Sequence, residues 1–272
     1  MLLIFKASPP WREAQHPRET SGRFATKRST MPAMDFNHPD RAPWGDMPDV
    51  PIHADELRVK KHPLYDIAKA GNGTAAWTLA AELMSPAINN ALARLTRGRS
   101  VFVLPVHANE TVGINEIPIM MAENLADVLQ LPVWLKVIQV NTVGHTGASG
   151  FHRMANQPLF DGPIIPGADY LIVDDFIGMG GTVANLRGYV ERQGGRVLAA
   201  TALTGRPYSA ILKPREETLR DLRSKHGPEF EHWWQGAFGH DFSLLTQSEV
   251  RYLYKSRDVD TIRDRLLAAR FV

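Results

Sequence analysis

Residues Tyr170–Leu186 read YLIVDDFIGMGGTVANL. The apolar run 170–173 predicts a buried strand, and Asp174 and Asp175 sit where that strand becomes loop. Successive strand residues face opposite sides, so the two carboxylates cannot both enter a core. At the carboxyl end of a strand both can reach one cleft. Gly178, Met179, Gly180 and Gly181 follow. Glycines let the backbone turn through positive φ and expose consecutive N–H groups. A helix beginning near Thr182 adds unpaired N–H groups and the positive end of its dipole. The combination predicts an anion cradle with hydroxyl-binding carboxylates beside it. A sugar phosphate needs both, with its diol on the aspartates and its phosphate in the loop. A Walker A loop would need a lysine after the glycines, and none is present. A dinucleotide fingerprint has no acid pair within the strand end. A phospho-receiver site needs an aspartate ending the next strand, where this chain has Thr204 and Gly205. A purely structural turn would need neither the acids nor their spacing to GGT.

Outward from this stretch, strand and helix patterns alternate. Residues 101–106 (VFVLPV), 133–140 (VWLKVIQV) and 196–204 (RVLAATALT) predict strands, and 118–130 and 182–193 predict helices. Residues 141–167 predict a long loop. This is the alternation of an α/β fold with an open, mostly parallel sheet and flanking helices, which binds ligands at the carboxyl ends of its strands. Upstream, 62–95 is helical in pattern, with Thr74 a candidate cap and Pro86 a break. Residues 1–63 hold nine of the 19 prolines and predict an irregular N-terminal segment. Segments 213–226, 229–237, 246–255 and 258–270 predict amphipathic helices. The expected division is therefore an irregular segment over 1–63, an α/β core over 64–205 and a helical C-terminal extension over 206–272.

The 272 residues contain no cysteine, which excludes disulfides and thiolate metal sites. No run of about 18 apolar residues predicts a membrane span. A cytoplasmic location is the expectation, with no membrane partner. Residues 1–30 carry six basic side chains against Glu13 and Glu19. That leader is either a solvated tail or a surface for nucleic acid.

The segment YLIVDDFIGMGGT resembles the signature that binds phosphoribosyl pyrophosphate (PRPP) in type I phosphoribosyltransferases. The resemblance implies that Asp174 and Asp175 take the ribose diol, reaching Mg²⁺ indirectly through Mg–PRPP. It implies that Gly178, Met179, Gly180, Gly181 and Thr182 wrap the 5′-phosphate. Gly178 stands where 6-oxopurine enzymes of the family carry an aspartate, which disfavours that substrate class. Pyrophosphate would lie on the loop after the first core strand, at His107, Ala108 and Asn109; residues 105–118 supply no Lys or Arg. The stretch Gly113-Ile114-Asn115-Glu116 is loosely similar to the competence-associated branch. Residues 141–162 take the place of the family's flexible loop, where Arg153, with His145 and His152, would meet the diphosphate. Arg153 could instead pair with Asp161 on the surface, and His145 with His152 is a third, metal-binding alternative. Trp233 and Trp234 either stack on a base or belong to a core.

The resemblance implies a phosphoribosyltransferase that uses PRPP and Mg²⁺ to transfer ribose 5-phosphate to a nitrogenous acceptor. The alternatives are a PRPP- or nucleotide-sensing regulator with reduced turnover, and a DNA-linked accessory protein. A homodimer is compatible with each.

Overall fold

A computed structural model describes residues 36, 38–107, 115–141, 143 and 148–270. Along the chain run α1 (Glu56–Lys60), α2 (Tyr65–Lys69), α3 (Gly73–Leu83), α4 (Pro86–Thr96), β1 (Val101–Pro105), α5 (Ile117–Leu129), β2 (Ile138–Gln139) and α6 (Gly150–Ala155). They continue with β3 (Phe160–Asp161), β4 (Asp169–Ile177), α7 (Gly181–Arg192) and β5 (Arg196–Gly205). The described chain closes with α8 (Glu216–His226), α9 (Pro228–Phe238), α10 (Gln247–Lys255) and α11 (Val259–Arg270).

The sheet has the order β1-β4-β5 and is parallel throughout. Its central strand is apolar on both faces because helices cover both. Leu171 and Val173 pack with Leu79, Met121 and Leu125 on one side. Tyr170 and Ile172 pack with Val183, Leu186 and Val190 on the other. The architecture is the open α/β sheet with flanking helices that the sequence alternation predicts.

Several local expectations change. The strand predicted over 133–140 is reduced to a single bridge, Val103 to Val133, and the two-residue β2, which pairs antiparallel with β3. Past Val133 the chain leaves β1, and the Trp134 indole turns to Phe102 and Tyr170 and donates to the Pro163 carbonyl at 2.9 Å. Helix α3 is capped by Asn72, whose side chain accepts from the Ala75 amide, and not by Thr74. The loop predicted over 141–167 contains α6, capped by Ser149 and packed through Phe151 against Tyr252 of α10. Residues 50–60, predicted irregular, run beside β5 through the Ile52–Ala202 bridge and then form α1. Trp234 is fully buried and stacked on Phe238 at 4.0 Å, while Trp233 packs on Phe230 beneath Arg263, so this pair serves a core. No described helix is long and apolar enough to cross a membrane.

Residues 40–44 form a strap across α7. Arg187 donates to the Ala42 and Pro43 carbonyls, and the Trp44 indole donates to the Leu245 carbonyl. Gly188 lies directly beneath this strap, and a methyl there would collide with the Asp40 carbonyl. That neighbour is backbone and cannot swing aside. Gly188→Ala is expected to destabilise the protein by about 1–3 kcal/mol through overpacking. Urea unfolding checks this; a loss under about 0.5 kcal/mol, the range of ordinary surface changes, would contradict it.

Candidate functional site

β1 ends its pairing with β4 at Pro105 opposite Val173, whereas β5 continues alongside β4 to Ile177. β4 therefore runs past the acid pair, and Asp174 and Asp175 lie within the strand rather than after it. Where β1 leaves, a cleft of about 530 Å³ opens at the carboxyl ends of the strands. Asp174, Asp175, Gly178, Met179, Gly180, Gly181, Thr182, His107 and Arg153 all line it. Ala108, Asn109, His145 and the leader 1–30 lie outside the described residues.

The acids divide as strand alternation requires. Asp174 is buried and accepts from the Asp175 amide at 2.8 Å. Asp175 reaches the cleft, accepts from Asn115 Nδ2 at 2.8 Å and lies 3.8 Å from Lys69 Nζ. Burial, followed by the Asp175 charge beside it, holds the Asp174 carboxyl well above the usual range. For Lys69, burial opposes the ammonium, but Asp175, Tyr65 and Asp174 outweigh it and the pKa rises. Lys69 supplies to the cleft a cation that residues 105–118 lack.

The glycine loop is held from behind. Ser209 Oγ donates to the Gly178 carbonyl, and Thr246 Oγ1 donates to the Met179 carbonyl at 2.6 Å. In a trans peptide the N–H points opposite to its C=O, so the Met179 and Gly180 amides face away from these anchors. Gly180 caps α7 at φ 81°, a left-handed conformation that favours glycine. The first amides of α7 have no intrahelical acceptor and are available to an anion.

Behind the loop lies a buried pair that the sequence did not reveal. Arg41 meets Glu249 through two bonds of 2.9 and 3.0 Å, with side-chain exposures of 1% and 3%. The same guanidinium donates to Asn185, Gln157 and the Leu244 carbonyl. Glu249 also closes the capping box with Thr246, the residue that anchors Met179. A methyl on Gly181 would stand 2.9 Å from Glu249 Oε1, so the restriction at this glycine comes from the carboxylate behind it.

Arg153 points to the cleft, and its Nη1 lies 2.7 Å from where a methyl on Gly178 would stand. His107 Nδ1 is 3.3 Å from the Pro105 carbonyl, and burial lowers its pKa. His152 Nε2 is 3.0 Å from the Val143 carbonyl. Among the described residues, no three His, Asp or Glu side chains converge as a metal centre.

The state of Asp174 gives a pH prediction. Its folded pKa is raised, so the folded chain binds the extra proton, and stability falls as pH rises from about 3.8 through the elevated value. His53 and His240, both lowered to about 4 by burial, act oppositely below 6.5. The difference between wild type and Asp174→Asn removes their contribution. Urea midpoints should show wild type losing stability relative to the variant as pH increases; a difference independent of pH would refute the assignment.

No family model matches the chain. Protein TraN of Escherichia coli is 40% identical over 235 residues, covering 86% of this chain and 52% of that protein. An uncharacterized protein of Haemophilus influenzae is 39% identical over 155 residues, covering 56% of this chain and 34% of that one. The chain thus spans about half the length of the first relative and about a third of the second. A crystal structure of adenine phosphoribosyltransferase superposes at a TM-score of 0.32 with 17% identity, over 51% of this chain and 74% of that one. That overlap is partial, and the functional reading stands on the cleft geometry.

Proposed function

We propose that the cleft binds PRPP and transfers its ribose 5-phosphate to a nitrogenous acceptor, as a type I phosphoribosyltransferase. One observation carries this reading: the acid pair of β4 and the glycine loop capping α7 line the same cleft. The loop amides would hold the 5′-phosphate, and Asp175, with Asn115 and Lys69 around it, would hold the ribose hydroxyls. The diphosphate would lie on the β1 side, toward His107 and Lys69. The acceptor nitrogen forms a bond to the anomeric carbon as the bond to the diphosphate oxygen breaks, and the diphosphate carries away the electron pair. The protein's part is to fix the sugar and exclude water. The C-terminal helices α8–α11, with the strap 40–44, would form the wall that holds the loop.

The donor set fits Mg²⁺ delivered with the substrate. Diphosphate oxygens and ribose hydroxyls would supply its hard oxygen ligands, with the acid pair beside the diol. When bound, the ion supplies neutralisation of the charge growing on the diphosphate. Asp174 and Asp175 would reach it indirectly, through the ribose hydroxyls of Mg–PRPP.

The lack of a cation in 105–118 favours a sensing role without turnover, whereas Lys69 and Arg153 in the lining of the same cleft favour the transferase. The DNA-linked reading rests on residues 1–30, which lie outside the described residues, and on the loose competence-type resemblance at 113–116. The deciding experiment is PRPP consumption and diphosphate release with Mg²⁺ over a panel of nitrogenous acceptors. Acceptor-dependent release supports the transferase; binding of PRPP with no release under any acceptor supports the sensor.

A further inference from the structure

Helix α2 brings a cation to the acid pair from outside the α/β core. Its Ala68 is fully buried in the cluster that holds Leu79 and Leu83 of α3, so the next residue, Lys69, leaves a fixed backbone. Lys69 Nζ lies 3.8 Å from Asp175 Oδ2. It donates to the Tyr65 hydroxyl at 3.4 Å and stands 5.7 Å from the centre of the Tyr65 ring. Lys69 and Tyr65 both line the cleft. Asp175 Oδ2 also accepts from Asn115 Nδ2 at 2.8 Å, so one carboxylate oxygen serves both neighbours.

The two contacts differ. Asn115 stands at hydrogen-bond length, whereas the Lys69 pair is long and the lysine side chain is 37% exposed. A long, partly exposed ion pair contributes little. The flexible four-carbon stem lets the ammonium move between acceptors while the helix stays in place. Lys69 is therefore a cation that can change partner.

The chemistry of the sugar says which partner it would take. In PRPP the diphosphate is carried on C1, next to the C2 hydroxyl, and the 5′-phosphate lies beyond C3 and C4. With the 5′-phosphate on the glycine loop and the diol on Asp175, the group that follows the diol is the diphosphate. Ribose 5-phosphate has only a hydroxyl there. Several anionic oxygens attract an ammonium more strongly than one carboxylate already engaged by the diol. Residues 105–118 contain no Lys or Arg, so α2 brings to the diphosphate a charge that this loop lacks.

We propose that Lys69 is the residue that distinguishes PRPP from ribose 5-phosphate, pairing with Asp175 in the free protein and passing to the diphosphate when the ribose hydroxyls take Asp175. This rests on the phosphoribosyl reading of the cleft and adds to it the exchange of partners that gives selectivity for the diphosphate.

The test titrates the full-length protein calorimetrically with PRPP and with ribose 5-phosphate, each with Mg²⁺, in wild type, Lys69→Met and Lys69→Arg. Methionine keeps the apolar stem, and a partly exposed site should accept it without loss of the fold. Lys69→Met should lose about tenfold or more in PRPP affinity, as a charged hydrogen bond implies. Its affinity for ribose 5-phosphate should change by about threefold or less, as for an exposed pair. Lys69→Arg keeps the charge and should hold PRPP more tightly than Lys69→Met does. A role confined to folding would weaken both ligands together. Equal losses for the two ligands, PRPP binding unmoved by Lys69→Met, Lys69→Arg no better than Lys69→Met, or a wild type that binds PRPP no more tightly than ribose 5-phosphate overturns the inference and leaves the phosphoribosyl reading standing. A wild type that binds neither ligand defeats that reading, and the inference with it.

Discussion

Replacing Asp175 by asparagine is expected to weaken ribose 5-phosphate binding by about ten- to a hundredfold. The side chain keeps its shape but loses the charge that would accept the ribose hydroxyls. Hydrogen bonds to a charged group contribute about 1.5–3 kcal/mol, which is that range in affinity. The substitution is mild for the fold because Asp175 faces the cleft, and Asn115 can bond to an amide oxygen as it does to the carboxylate. Asp174→Asn is expected to have the smaller effect on binding, since burial favours the neutral form of that carboxyl. Calorimetry with ribose 5-phosphate measures both. An unchanged affinity in Asp175→Asn would remove the diol from the account.

The largest stability loss is expected at Arg41. Its guanidinium donates to the buried Glu249, Asn185 and Gln157 side chains and to the Leu244 carbonyl. Arg41→Ala leaves the Glu249 carboxylate buried with its charge uncompensated, and breaking a buried pair in this way costs about 3–5 kcal/mol. Arg41→Met with Glu249→Leu should recover part of that loss, because it removes both charges together. Glu249 also orders the Thr246 cap that anchors the Met179 carbonyl. Any Arg41 variant that folds should therefore bind phosphate more weakly too. Urea unfolding at constant slope gives the value. A loss of about 1 kcal/mol or less, as for a surface pair, would contradict the buried description.

What the sequence made legible was local. The apolar run 170–173, the acids after it and the GGT turn are contiguous, and each has a conformational cause within a few residues. β4, α7 and the loop between them follow from that pattern, as do β1, α5 and β5. The elements that misled depend on distant partners. α6 is a six-residue helix whose support comes from α10 and from the Ala269 carbonyl in α11, which accepts from Asn156. Residues 133–140 read as strand because six of the eight are apolar and four are β-branched, yet Trp134 is diverted by Tyr170 and Pro163. The site shows the same division. Asp174, Asp175 and the glycines were visible in one motif. Lys69 reaches Asp175 from a helix more than a hundred residues earlier, and Arg41 reaches Glu249 across 208 positions. No periodicity or spacing in the chain signals such pairs. Glu249 had one local sign: Thr246 three residues before it spells a capping box. That sign marked a helix start and not its contact with the phosphate loop.

Calorimetric titration of the wild-type protein with PRPP and Mg²⁺, repeated in the presence of excess ribose 5-phosphate, tests the central claim most directly. The phosphoribosyl account predicts saturable binding with one PRPP per chain, and loss of that signal when ribose 5-phosphate occupies the glycine loop. Absence of PRPP binding, or binding that excess ribose 5-phosphate leaves untouched, would contradict it.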